Sequence, residues 1–329
     1  MPVDIFSAKT EETRESFFDF LSHTPLANEV KNKTVYIKPN FMIYLHENYN
    51  TFVSPVLINL LVEYIENIAD DVFLIESNNI YNFMFPKHTV ETIAAKLHLK
   101  GKIINLTDQP RMQFEYKNHS VEVPRLLNRK EHDFYLIDFA KFRAHPHFYL
   151  SLTIKNMYGC LPVAEKFIKF HKEWNINNAI ACIHHFVRPD FCLIDAIHCM
   201  DIASDIVVEK KYLGHYINYG YVVGSKNPLI LDMVMSKIIP IEIEKFTFYQ
   251  QVQELYMEKG DSLKNYGYHL VGDSLPMMDK FKLPSPVSTS VWRTLFDKIV
   301  PENKKMMLMM IKQLMKGHCY DPDIFTFDY

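Results

Sequence analysis

Two neighbouring stretches, TVYIKPN at Thr34–Asn40 and SPVLINLLVEYIENIADDVFLIES at Ser54–Ser77, decide the fold class. The first opens as a short β-rich run, TVYIK, and stops at Pro39, which has no N–H to give a ladder. Ser54 followed by Pro55 reads as a helix cap and first turn. Apolar side chains at Val56, Leu57, Leu60, Leu61, Tyr64 and Ile65 carry that helix to about Asn67. Val72–Ile75 (VFLI) is then a second buried strand, closed by Glu76 and Ser77. Strand, helix and strand in this order form a βαβ unit, which implies a parallel sheet with a right-handed crossover.

The pattern extends in both directions. Upstream, Thr10–Ser22 reads as a surface helix capped by Thr10, with Phe17, Phe18 and Leu21 as its apolar positions. Downstream, His88–Leu99 is the next helix and Lys102–Leu106 a third strand. FEYKN and SVEVP form a hairpin around Lys117, Asn118 and His119, an insertion at the sheet edge. Further strands are expected at Phe134–Asp138, Phe148–Ile154, Phe191–Ile194, Tyr221–Val223 and Tyr268–Gly272. Helices are expected at Glu165–Trp174, Ile176–His184, Pro228 to about Ile238 with Asn227 as cap, and Tyr249–Glu258. The expectation is an open, mostly parallel α/β sheet in one main domain, residues 1–280, followed by a helical C-terminal extension, 281–329, packed on it. Its Met-rich segment KKMMLMMIKQLMK reads first as flexible core filling and second as a homodimer contact.

Composition excludes several classes. A formal charge of -3, from 36 Lys and Arg against 39 Asp and Glu, offers no global field for DNA or RNA, so no nucleic-acid partner is expected. Five cysteines without framework spacing suit free thiols in a reducing compartment. MPVDIFSAKTEETRE at the N-terminus is too polar for a secretory signal and too acidic for a transit peptide, and the apolar run Met306–Ile311 is too short to cross a bilayer. A cytoplasmic protein with no membrane partner is the expectation.

Chemistry is sought just beyond the carboxyl ends of strands, where open parallel sheets bind ligands. That rule selects Lys38 and Asn40 after the first strand, Glu76 after the second, Lys155 and Asn156 after the basic strand, and Asp195 after the later one. Lys38 and Asn40, two residues apart in extended chain, point the same way and suit a carboxylate or phosphate. A second concentration lies in FAKFRAHPHFYLSLTIKNMYGCLP at Phe139–Pro162, where Lys141, Arg143, His145, His147, Lys155 and Asn156 crowd an otherwise apolar segment and call for an anionic partner. By intrinsic pKa His145 is the best general acid or base. Lys155 is an electrostatic anchor or, if desolvated, a nucleophile or base, and Asp195 orients or balances them. His145 and His147 flank Pro146 and could share a divalent metal, but no carboxylate or Cys stands at ligand spacing. His184 and His185 are adjacent and diverge, and Cys192 and Cys199 are too far apart for a zinc knuckle. No G-x-G-x-x-G, G-x-x-x-x-G-K-[ST] or G-x-S-x-G motif occurs, and no in-chain iron–sulfur pattern, so no cofactor is identified.

VYIKPN at Val35–Asn40, KFRAHPHFYLSLTIKNMYG at Lys141–Gly159, FCLIDAI at Phe191–Ile197 and VVGSKNPLILD at Val222–Asp232 together resemble the domain of unknown function 362 family over about residues 34–272. The resemblance implies a Rossmann-like α/β domain, often beside or fused to iron–sulfur modules, with no generally assigned activity. The family's Lys-Pro-Asn is similar to Lys38, Pro39 and Asn40. Its Lys-x-Lys-x-His is similar to Lys141, Arg143 and His145, with Arg replacing the second Lys. Its Lys-Asn-x-x-Gly is similar to Lys155, Asn156 and Gly159, its late-strand Asp to Asp195, and its last motif to Gly224, Pro228 and Asp232. After Asp195 this chain reads AIHCMDIASD in place of a glycine-rich turn and has no iron–sulfur extension, which argues against a redox role.

The combined expectation is a Rossmann-like α/β fold with helices on both faces and a helical C-terminal tail. Its function is that of a cytoplasmic enzyme acting on a small anionic metabolite. Lys38, Asn40, Glu76, Lys141, Arg143, Asn156 and Gly159 bind the substrate, and His145, Lys155 and Asp195 carry the chemistry. The alternative is a non-catalytic ligand- or metal-binding module that serves a redox or iron–sulfur partner.

Overall fold

The computed structural model describes residues 2–283 apart from 43, 45–50, 80, 83–84, 118, 146–147, 164–165, 167–168, 171–175, 202–206, 209–210, 213–214, 240 and 259–261. The predicted tail beyond 283, its Met-rich segment, most of the helix expected at Glu165–Trp174, and His147 lie outside the described residues.

The strands are β1 (Val3–Lys9), β2 (Thr34–Pro39), β3 (Asp71–Glu76), β4 (Lys102–Asn105), β5 (Arg111–Tyr116), β6 (His119–Pro124), β7 (Tyr135–His145), β8 (Tyr149–Ser151), β9 (Phe191–Met200), β10 (Val207–Val208), β11 (Lys211–Tyr212), β12 (Tyr216–Ser225) and β13 (Tyr268–Gly272). The α-helices are α1 (Arg14–Ser22), α2 (Leu26–Glu29), α3 (Pro55–Glu66), α4 (Val90–Lys96), α5 (Thr153–Asn156), α6 (Ile176–Phe186), α7 (Pro228–Lys237) and α8 (Thr247–Tyr256). One mixed sheet runs in the order β13-β1-β12-β9-β7-β2-β3-β4, with β8 paired to β7. The pairs β2 with β3, β3 with β4, β2 with β7 and β7 with β9 are parallel; β12 is antiparallel to both β9 and β1. The fold is therefore α/β with a mostly parallel mixed sheet.

From β2 the chain winds outward through α3, β3, α4 and β4, then returns to lay β7 on the other side of β2. The direction of winding thus reverses between β2 and β7, and in open α/β sheets ligands bind at the carboxyl ends of such a pair. Alternate residues of these strands enter different core clusters. Val35, Ile37, Ile137 and Phe139 pack with Phe17, Leu57 and Leu61 of α1 and α3. Tyr36, Leu136 and Ala140 pack with Ile180, Leu231 and Phe248 of α6, α7 and α8. Each such fully buried aliphatic or aromatic side chain contributes roughly 1.5–3 kcal/mol of transfer free energy. The clusters hold the strand ends in place from both sides.

Several local expectations change. Thr13, not Thr10, caps α1: its side chain accepts from Ser16 N. The polar N-terminus contains β1, which pairs with β12 and β13 and places β13 at the sheet's edge. The hairpin β5–β6 is a separate two-stranded sheet whose Phe114 and Tyr116 rings meet Phe186 and His185 of α6, not an edge addition. The strand expected to stop at Asp138 runs on to His145, so the basic segment is inside β7 and not between strands. Likewise β9 passes through Asp195 to Met200. Charged residues inside strands read as strand ends because solvent is their usual destination; here they are paired in the interior. Finally, Thr153–Asn156 is a helical turn and not the continuation of a strand.

Candidate functional site

The turn that carries Asn156 is made by a residue far away in sequence. A helix start leaves backbone N–H groups without partners, and the carboxylate of Asp232 on α7 takes them. Its Oδ1 accepts from Thr153 N at 2.9 Å and Thr153 Oγ1 at 2.5 Å, and its Oδ2 from Ile154 N at 3.0 Å and Tyr249 OH at 3.0 Å. Burial lifts the Asp232 pKa to about 7 against the pull of these donors. On the other side, His184 Nε2 lies 2.8 Å from Ile154 O and its Nδ1 2.6 Å from Tyr256 OH; burial lowers its pKa to about 4, so it is a neutral imidazole.

Held this way, Asn156 is the hub of a buried network at the switch point. Its Oδ1 accepts from Lys38 Nζ at 2.8 Å and from Asn40 Nδ2 at 3.1 Å. Its Nδ2 donates to Asp138 Oδ1 at 2.5 Å and lies 3.3 Å from the carbonyls of Lys38 and Phe139. Lys38 and Asn40 therefore converge, as the i and i+2 spacing requires. Lys38 Nζ also pairs with Glu76 Oε2 at 2.9 Å. Gly159 packs against this pair: a Cβ there would come within 2.6 Å of Lys38 Nζ and would also strike Glu76 Oε1. Ser77 Oγ donates to Gly159 O, and Lys166 Nζ donates to Ser77 Oγ at 2.6 Å, Asn78 O at 2.6 Å and Leu161 O at 3.3 Å. Burial lowers the Lys166 pKa to about 8, partly opposed by Glu76.

Two buried oxygens of the network have no hydrogen-bond partner among the described residues: Asn40 Oδ1 and Asp138 Oδ2. Leaving such an atom unmatched costs about 1–3 kcal/mol. Asp138 is register partner of Lys38 and is fully buried. Burial raises its pKa well above the ordinary carboxylate value, with Asp232 and Glu76 adding to the rise and Lys38 and Asn156 opposing it.

A second pair lies on the sheet's other face, by the alternation of β7 and β9. Lys141 Nζ donates to Asp195 Oδ2 at 2.7 Å, with both side chains fully buried. Asp195 Oδ2 also accepts from Ser54 N at 3.0 Å and Oδ1 from Ile197 N at 3.1 Å. The Asp195 carboxylate thus fastens the residue before α3 by its backbone N–H, while the Ser54 side chain makes no capping bond; Ser54 Oγ is buried without a partner among the described residues.

The remaining sequence candidates sit farther along. Arg143 is buried near the end of β7, in register with Ser151 of β8. Half-buried His145 ends β7 and its Nδ1 accepts from Phe148 N at 3.3 Å. The Phe148 ring lies 6.0 Å from Lys155 Nζ, so His145 and Lys155 border the same ring. Among the described residues no group of three His, Cys, Asp or Glu could hold a metal ion. Cys160, Cys182, Cys192 and Cys199 are free and buried. No described helix is long and apolar enough to cross a membrane. Sequence reasoning missed Asp138, Ser77 and Lys166. Asp138 carried a usable signal, as the last residue of FYLID and hence at a strand end by its own rule. Lys166 carried none.

No curated protein matches the chain. A crystal structure of a Thermotoga maritima protein is similar at 12% identity and a TM-score of 0.41, covering 74% of this chain. The chain spans 59% of that protein's length. The family model described as a domain of unknown function, DUF362, matches residues 35–237. Its span holds the switch point, both lysine–carboxylate pairs and the Asp232 clamp, and the chain belongs to the DUF362 family.

Proposed function

We propose that this protein is a cytoplasmic enzyme acting on a small metabolite that bears a carboxylate or phosphate, bound at the carboxyl ends of β2 and β7. The observation that carries this reading is the charge of the buried cluster. Lys38 is matched by Glu76, whereas the Lys166 ammonium is held by three neutral oxygens and Asp138 is pushed toward its neutral form. Among the described residues no carboxylate touches the Lys166 ammonium, and a buried cation without a counter-charge in contact is costly. An anion at Asn40, Lys38 and Asn156 offsets that cost. Glu76 and Gly159 hold Lys38 in position.

In this reading His145 and Lys155, bordering Phe148, supply the acid or base and the second anchor. Arg143 on the same strand adds positive potential, and Lys141 with Asp195 ties β7 and β9 to the start of α3. The reversal of winding at β2 and β7 and the two core clusters support a Rossmann-like sheet with helices on both faces. The test is titration of the purified protein with inorganic phosphate and with succinate, alongside Lys38→Ala and Asn40→Ala. Binding weakened about tenfold or more in both variants, a loss of about 1.4 kcal/mol, supports the site. Affinity unchanged in both removes it.

A further inference from the structure

We propose that Asp138 is the acid of this site: a neutral carboxylic group whose Oδ2 hydroxyl donates to an oxygen of the bound anion, held in aim by Asn156. The inference rests on the anion site proposed above and adds to it a residue that no motif singled out.

Three geometric facts carry it. Asp138 and Lys38 are register partners on adjacent parallel strands, so their side chains leave the same face of the sheet at the switch point. Asp138 Oδ1 is fixed by Asn156 Nδ2 at 2.5 Å, and the same amide receives Lys38 Nζ and Asn40 Nδ2 on its oxygen. Asp138 Oδ2 is then left over, fully buried and unmatched among the described residues.

The protonation state follows from the surroundings. The groups that act on Asp138 are Lys38 on β2, Glu76 on β3 and Asp232 on α7; Cys192 on β9, Cys160 after α5 and Tyr256 on α8 lie within electrostatic reach. Both thiols and the phenol are held neutral by burial. Glu76 and Asp232 disfavour a third carboxylate. Lys38 favours one, but its Nζ is occupied by Glu76, by Asn156 Oδ1 and, at 3.5 Å, by Pro39 O. Desolvation decides in favour of the acid form. An ionised Oδ2 would be an acceptor with no donor. A protonated Oδ2 is a donor, and its missing partner is an acceptor oxygen of the kind a carboxylate or phosphate brings. A carboxylic acid kept neutral in an apolar site so that it can donate is an established catalytic device. Asn40 Oδ1, the other unmatched atom, wants a donor, so the ligand that fits presents an acidic oxygen next to a hydroxyl, amine or bound water.

The experiment combines infrared difference spectra with anion titration. At neutral pH the wild type should show a protonated-carboxyl stretch that is missing from Asp138→Asn. With inorganic phosphate and succinate as probes, Asp138→Asn should keep affinity within a few-fold, because its amide N–H also donates. Asp138→Leu should lose about tenfold or more, equivalent to about 1.4 kcal/mol. Identical spectra for wild type and Asp138→Asn overturn the inference even if the Leu variant fails to fold. Unchanged affinity in Asp138→Leu together with lost affinity in Lys38→Ala overturns the role of Asp138 and leaves the anion site standing. Binding of neither probe by the wild type overturns the anion site and the inference with it.

Discussion

The two buried lysine–carboxylate pairs of the sheet, Lys141–Asp195 and Lys38–Glu76, are alike in burial and in length, 2.7 and 2.9 Å. Their surroundings differ. Both oxygens of Asp195 are taken, by Lys141, Ser54 N and Ile197 N, and the result is a cross-link between β7, β9 and α3. Around Lys38 the cation is satisfied, yet the amide that organises it leads to two unmatched oxygens. The same residue types thus serve as a closed structural pair in one place and as the wall of an incomplete site in the other. Pairing alone does not identify function; what identifies it is which atoms are left over.

The largest expected effect tests the closed pair. Lys141→Met leaves the Asp195 carboxylate buried beside two amides and no cation, and should cost about 3–5 kcal/mol in urea unfolding. Lys141→Met with Asp195→Leu should recover much of that loss. A loss under about 1 kcal/mol in the single variant would mean that the pair is no cross-link. Next, Gly159→Ala drives a methyl into the Lys38–Glu76 pair and should cost about 1–3 kcal/mol, as overpacking does. It should also weaken phosphate or succinate binding. Lost binding with unchanged stability, or the reverse, would separate the pair's two tasks.

A third test concerns the clamp that presents Asn156. Asp232 has its pKa lifted from 3.8 to about 7 in the folded chain, so the unfolded chain releases its proton first as pH rises. Stability from this group is therefore full below about pH 4 and lost as pH climbs towards 7. Asp232→Asn should be less stable than the wild type by about 1–3 kcal/mol, with the gap larger at about pH 5 than at about pH 8 in urea midpoints. A gap that widens with rising pH would mean that the four donors hold Asp232 ionised throughout. The smallest effect on stability belongs to Asn40→Ala. This residue is half-buried and gives the network one bond, so the change should stay within about 1 kcal/mol while anion affinity falls. A large stability loss would move Asn40 into the same class as Asp195.

The sequence carried the architecture well where periodicity was undisturbed. TVYIKP and VFLIE, with the Ser54–Pro55 helix between them, fold as a βαβ unit at the expected positions. Lys38, Asn40, Asn156, Glu76 and Gly159 meet in one network. Periodicity failed in β7 and β9, where charges sit in the middle of a buried strand. Asp138 and Asp195 each looked like a place where a strand should end, and Lys141 and Arg143 like a segment between strands. Helix propensity likewise failed at Thr153–Asn156, where the start of the turn is satisfied from α7.

What the sequence determined by itself is the set of residues that can be charged at the strand ends and the winding that brings those ends to one edge, because both follow from local patterns. What only the tertiary structure decided is the state of each charge. Asp195 is closed off by Lys141 and two backbone N–H groups, and Asp138 is pushed toward its neutral form by the exclusion of water, with Asp232 and Glu76 adding and Lys38 opposing. Those partners are distant in sequence, and desolvation is a property of the packed interior that no local pattern encodes.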